Sequence, residues 1–253
     1  MDLKLKGLNA LVSGGTKGIG RAIAETLAAE GANVSICARN AAEVETAAAE
    51  LTRTGVKTLG RALDVADGAA VAAWVEATAA EFGGVDIVVA NVSALAIGND
   101  EASWQASFAT DMMGTVRLVD AALPHLEASS AAAIVTISSV SGREIDFAAG
   151  PYGTFKAALI HYTQGVAYQL AAKNIRANSV SPGNTYFKGG VWEQIETGNP
   201  ELFATALALN PTGRMGTPQE MANAAVFLAS PAASFITGSN LVVDGALTRG
   251  VQF

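Results

Sequence analysis

Seven short runs rich in Val and Ile alternate along the chain with segments rich in Ala, and this alternation narrows the possible folds more than any other feature. The runs are Asn9 to Ser13, Asn33 to Ala38, Thr58 to Leu63, Ile87 to Asn91, Ala132 to Ser138, Ile175 to Val180 and Asn240 to Val243, each near turn-forming residues, as β-strands are. Between them Ile19 to Glu30, Ala41 to Leu51, Ala69 to Phe82, Phe108 to Leu126, Tyr152 to Ala172 and Pro218 to Leu228 carry helical periodicity. Strands separated by helices are joined by crossovers, so the sequence predicts a seven-stranded parallel sheet with helices on both faces, a doubly wound α/β sandwich of three layers. Composition drifts little over the 253 residues, so residues 1–253 are predicted to form one domain. The stretch Pro182 to Met215 is different: Gly and Pro surround short amphipathic pieces. Connections of that kind often close over a site, and a lid is predicted at about 184–215.

Several classes of protein are disfavoured. No run approaches the roughly 20 apolar residues that span a bilayer, and Met1-Asp2-Leu3-Lys4-Leu5-Lys6 lacks the apolar core of a signal peptide. A cytoplasmic protein without membrane partners is expected. Cys37 is the only cysteine, so neither a disulfide framework nor a cysteine metal site forms within the chain. His125 and His161 fall on predicted helices without a second ligand at metal spacing, so no metal is expected. A net charge of -7, spread without blocks, disfavours nucleic acid and still permits a local basic pocket for a phosphate.

Such a pocket begins where the first strand runs into Gly14-Gly15-Thr16-Lys17-Gly18-Ile19-Gly20 and then a helix. Glycines at a strand-to-helix turn let a pyrophosphate approach backbone N–H groups at the positive end of the helix. The second strand ends in Cys37-Ala38-Arg39-Asn40, where a carboxylate would receive the ribose hydroxyls of NAD(H). No carboxylate is there, and Arg39 with Lys17 offers two cations to a 2′-phosphate, which favours NADP(H) over NAD(H).

Further along, Tyr152 and Lys156 stand four residues apart on a predicted helix and so share one face. A free phenol ionises near pH 10, roughly, and a neighbouring cation favours the phenolate, which suits general acid-base chemistry. Ser139, thirteen residues before Tyr152, is placed to hold a substrate oxygen.

The Gly-x-x-x-Gly-x-Gly loop, Ser139, Tyr152 and Lys156 in this order and spacing resemble the classical short-chain dehydrogenase/reductase family, and the resemblance runs from Leu8 to Gly245. It implies a Rossmann-type fold and hydride transfer between a nicotinamide and a carbonyl or secondary alcohol, with a ketone or 3-oxoacyl compound as substrate. Tyr152 would be the proton donor to the carbonyl oxygen, Lys156 its tuner and a ligand of the nicotinamide ribose, and Ser139 a hydrogen bond to the same oxygen. The family's fourth catalytic position falls on Asp111. Gly14, Thr16, Lys17, Gly18, Ile19, Gly20 and Arg39 would hold the phosphates, Asp64 and Val65 the adenine, Asn91 the ribose side, and Pro182, Gly183 and Thr185 the carboxamide. The resemblance also implies a homotetramer, with the helices 108–126 and 152–172 packing in pairs and Gly245 to Phe253 near another subunit.

The chain departs from the family pattern at several places. Ser13 stands for a Thr, Ala90-Asn91-Val92-Ser93 for Asn-Asn-Ala-Gly, Asp111 for an Asn, Phe155 for a Ser before the lysine, and Phe187 for the Thr five residues beyond Pro182. These changes keep open a rival reading, a nucleotide-binding sensor or scaffold of the same fold that has lost turnover. Ser141 to Phe147 and Thr185 to Leu209, Trp192 included, are expected to line the substrate pocket.

Overall fold

In the computed structural model, which describes residues 1–251, seven strands form one parallel sheet in the order β3-β2-β1-β4-β5-β6-β7. The strands are β1 (Asn9–Ser13), β2 (Asn33–Ala38), β3 (Thr58–Ala62), β4 (Ile87–Ala90), β5 (Ala133–Ile137), β6 (Arg176–Pro182) and β7 (Asn240–Val243). Strand order reverses between β1 and β4, which are paired in register at Leu11 and Val88. A crevice opens at the carboxyl ends of the strands at such a switch point.

Both faces of the sheet are covered, and side-chain alternation sorts each strand between two cores. Ala10 and Val12 of β1 and Ile87 and Val89 of β4 face a core with α1 (Gly18–Ala29), α2 (Ala41–Thr52) and Val226. The last of these lies on α9 (Pro218–Ala229), whose start is fixed by a capping box between Thr217 and Glu220. Leu11, Val88 and Ala90 face the opposite core, with Trp74 of α3 (Gly68–Phe82), Leu118 of α5 (Met113–Ala128) and Val166 of α6 (Pro151–Leu170). Trp74 is fully buried and its indole N–H donates to Ser35 Oγ at 2.8 Å, so its one polar atom is satisfied.

Three differences from the predicted elements matter for the site. Strand β6 continues past Val180 to Pro182, because Ser181 and Pro182 still pair with Val242 and Val243. The helix predicted from Phe108 starts earlier, as α4 (Glu101–Ser107) capped by Asp100, and passes through a π-helical turn at Phe108–Met112 before α5. Between β6 and α9 the irregular stretch holds α7 (Val191–Gly198) and α8 (Pro200–Ala208), which pack a small core of their own around Trp192, Ala206 and Met215. The end of the tail expected near another subunit, Gln252 and Phe253, lies outside the described residues. Among the described residues no helix is long and apolar enough to cross a membrane.

Candidate active site

The glycine loop follows β1 as expected and is tied down from both sides. The N–H groups of Gly14 and Gly15 donate to the Cys37 carbonyl at 2.8 and 3.3 Å, and Asn91 Nδ2 donates to the Ser13 carbonyl at 3.0 Å. Gly14 adopts φ +68, and a Cβ on Gly20 would overlap the Gly14 carbonyl oxygen and Asn91 Nδ2, so the loop and α1 meet backbone to backbone. Helix α1 starts with no side-chain cap and no acidic residue in its first turn. A helix start of that kind suits an anion, and the residues present therefore fit a dinucleotide pyrophosphate. Asn91 serves this site as a strut: its side chain points into the loop, and its own N–H donates to Ser13 Oγ at 2.9 Å.

At the far end of the loop Arg39 is exposed beyond β2, and Lys17 is exposed at the start of α1. Glu43, a residue outside every sequence motif, sits beside Lys17. Its carboxylate lies 3.7 Å from Lys17 Nζ and accepts from the Thr16 hydroxyl at 3.4 Å. Asn40 caps α2 by accepting the Ala42 and Glu43 N–H groups, which sets Glu43 in the first turn of that helix. Asp64 is exposed and accepts the Ala66 N–H at 2.9 Å, while buried Val65 packs against Gly114. Pro182 closes β6, and the Gly183 N–H donates to the Val243 carbonyl at 3.0 Å. Thr185 turns its hydroxyl to the Gly183 carbonyl at 3.0 Å. Phe187 lies across the loop, with its ring against Gly18 and Gly190.

Ser139, Tyr152 and Lys156 are assembled by β5 and α6. Ser139 follows β5, is buried, and accepts the Ser141 N–H at 3.1 Å, which leaves its own O–H to donate elsewhere. The turn at Val140–Gly142 packs on α6 so closely that a Cβ on Gly142 would stand 2.6 Å from the Lys156 carbonyl carbon. The Ser138 hydroxyl locks the contact by donating to the Lys156 carbonyl at 2.7 Å. Lys156 is buried, with Nζ 5.6 Å from the centroid of the Tyr152 ring and donating to the Ile137 carbonyl at 2.9 Å. Asp111, from the π-helical turn, brings Oδ1 to 3.4 Å from the same ammonium. Its backbone carbonyl accepts the Thr115 hydroxyl at 2.7 Å.

Around this set lie the elements expected to line a pocket. Asp146 accepts from Ser141 Oγ at 2.6 Å and Glu144 accepts the Arg249 and Gly250 N–H groups at 3.0 and 2.8 Å. Trp192 is buried edge-on to Phe147 at 5.8 Å, joining α7 to the loop after β5. Arg143 in that loop has a buried Nη1 with no hydrogen-bond partner, a feature without any sequence signal.

The family profile described as Enoyl-(Acyl carrier protein) reductase matches residues 14–248. Isoepoxydon dehydrogenase patN of Penicillium expansum is 42% identical over 257 residues, covering 98% of this chain and 98% of its own length. The structure of L-sorbose reductase from Gluconobacter frateurii, complexed with NADPH and L-sorbose, superposes with a TM-score of 0.90 at 30% identity, covering 99% of this chain and 100% of that one. That of 7α-hydroxysteroid dehydrogenase complexed with NADH and 7-oxo glycochenodeoxycholic acid gives 0.89 at 29% identity, covering 97% of this chain and 96% of that one. The chain belongs to the classical short-chain dehydrogenase/reductase family. It is an oxidoreductase that transfers hydride with a nicotinamide cofactor.

Proposed function

We propose that the chain is an NADP(H)-dependent reductase of ketone or 3-oxoacyl-type carbonyls, or the corresponding secondary-alcohol dehydrogenase, working through Ser139, Tyr152 and Lys156. The observation that carries this reading is the buried Lys156 ammonium held beside the Tyr152 ring by the Ile137 carbonyl. The bound nicotinamide supplies or accepts the hydride at the carbonyl carbon. Ser139 donates its free O–H to the substrate oxygen and fixes it near the phenol. Tyr152 gives its proton to that oxygen during reduction and takes one back during oxidation. Lys156 steadies the phenolate left behind. Lys17, Gly18, Ile19 and Gly20 would hold the pyrophosphate at the start of α1, with Arg39 and Lys17 at the 2′-phosphate and Asp64 and Val65 at the adenine side.

NADP(H) is favoured because two cations and no strand-end carboxylate face that position, and L-sorbose reductase, so similar in fold, was solved with NADPH. Glu43 moderates the preference, since Lys17 must leave it to reach a phosphate. The region 184–215, with α7 and α8, would close over the substrate as a lid within a single domain spanning 1–253. The assembly is proposed to be a homotetramer paired through α5 and α6.

A panel of ketones, 3-oxoacyl thioesters and secondary alcohols, assayed with each nicotinamide, tests the reading. Steady turnover is expected with NADPH, Tyr152→Phe is expected to lose at least about 100-fold in kcat, and Arg39→Ala to raise KM for NADPH about tenfold with little change for NADH. Dinucleotide binding without turnover of any substrate would favour the sensor instead.

A further inference from the structure

Asp111 and Lys156 are the only charged side chains that are buried among the described residues, and they face each other at 3.4 Å. Asp111 has no exposed surface. Its Oδ2 accepts the Ala94 N–H at 2.9 Å, whereas Oδ1, the oxygen nearer the ammonium, has no hydrogen-bond partner. Lys156 Nζ is thus held on one side by the Ile137 carbonyl and faced on another by a carboxylate, with the Tyr152 ring on a third. The backbone carbonyl of Asp111 accepts the Thr115 hydroxyl, and its carboxylate is the group turned toward the ammonium.

A lone buried ammonium beside a phenol pulls strongly on the phenolic proton. An ammonium backed by a carboxylate pulls less, because the two charges together resemble a dipole whose field falls off faster than that of a charge. Resting on the Ser139-Tyr152-Lys156 reading above, we propose that Asp111 is a positioning residue that acts through Lys156. Its carboxylate fixes the ammonium and offsets part of its charge, so that the ammonium pulls less on the phenolic proton that carbonyl reduction uses. In that direction the phenol O–H breaks, its proton goes to the carbonyl oxygen, and the hydride from the reduced nicotinamide completes the alcohol.

Other charged groups near these elements are turned elsewhere. Asp146 is taken by Ser141 Oγ and the Ala148 N–H, Glu144 by the Arg249 and Gly250 amides, and His161 is exposed further along α6. The loop after β4, Asn91 to Ala94, carries no titratable side chain. Arg143 in the loop after β5 adds a cation, which the variants below leave in place.

Asp111→Asn tests the proposal, because an amide oxygen still accepts the Ala94 N–H while the charge is gone. With a secondary alcohol and the oxidised nicotinamide, the rising limb of the pH–rate profile is expected to move to lower pH by about one unit. The alkaline limb of carbonyl reduction is expected to move the same way, and superimposable limbs would overturn the proposal. A thermal-denaturation cycle reads the pair without activity. Lys156→Met strands a buried carboxylate and lowers Tm, and Asp111→Asn/Lys156→Met is expected to recover most of that loss. Additive losses, or failure of the double variant to fold, would overturn the pairing. Absence of turnover in the wild-type enzyme would instead sink the catalytic reading, while the denaturation cycle still decides whether the two charges are coupled.

Discussion

At the scale of single residues, the glycine loop sets the hardest constraint. A methyl group on Gly20 meets the Gly14 carbonyl oxygen, which is backbone, and the Asn91 amide, which is already bonded to Ser13. Neither can withdraw, so Gly20→Ala is expected to cost about 1–3 kcal/mol of stability and to weaken dinucleotide binding. Denaturant titration and fluorescence titration with NADPH measure the two losses, and unchanged binding would mean that the loop tolerates a shift. The need for glycine at this turn was legible, because a strand, a glycine cluster and a helix in succession leave few conformations for the connection. The pairing of Tyr152 with Lys156 was legible from the helical repeat. Glu43 beside Lys17 and the unpartnered Nη1 of Arg143 were not, since each depends on how separate segments approach in space. The Asp111–Lys156 contact lay between these cases: the substitution at 111 could be read in the sequence, whereas the complete burial of both charges could not.

At the scale of elements, runs rich in Val and Ile located all seven strands to within two residues at either end, because the central strands β1, β4 and β5 are buried on both faces and read as continuous apolar runs. Helix ends were harder, and the π-helical turn at Phe108–Met112 had no signal, since local sequence does not reveal an extra residue in a turn. Helix α9 shows how an element end can carry a measurable charge term. Glu220 closes the capping box with Thr217, and its carboxyl is held down to about 2, from an ordinary 4.5, by hydrogen bonds from the Arg214 guanidinium and then the Thr217 N–H. The folded protein therefore binds this proton less readily than the unfolded chain does. Its contribution to stability is present above about pH 4.5 and is lost as pH falls toward about 2. Glu220→Gln is expected to lower the urea midpoint at pH 6 and to converge with the wild type near pH 2. Equal midpoints at pH 6 would show that the ion pair, exposed as it is, contributes nothing.

At the scale of the whole molecule, two regions expose aromatic side chains. Trp104, Phe108 and Phe155 form an aromatic row across α4, the π-helical turn and α6, with centroids 6.1 and 5.9 Å apart, and Tyr168 stands 87% exposed near the end of α6. Phe235 is fully exposed beside β7, the strand at the sheet's edge, where Leu241 is exposed as well. Two separate apolar faces are what a tetramer with two-fold axes needs, one face for each kind of dimer. Tyr168→Glu places a charge on the exposed side of α6, about four helical turns beyond Tyr152. Sedimentation is expected to show the wild type as a tetramer, with Tyr168→Glu and Phe235→Asp each falling to a dimer built on the face left intact. A monomeric wild type would refute the assembly, and a tetrameric Tyr168→Glu would move the interface off α6. Because the same helix begins with Tyr152 and Lys156, a dimer that has lost the α6 contact is also expected to show a lower kcat at unchanged cofactor KM, the mark of a helix no longer braced along its outer face.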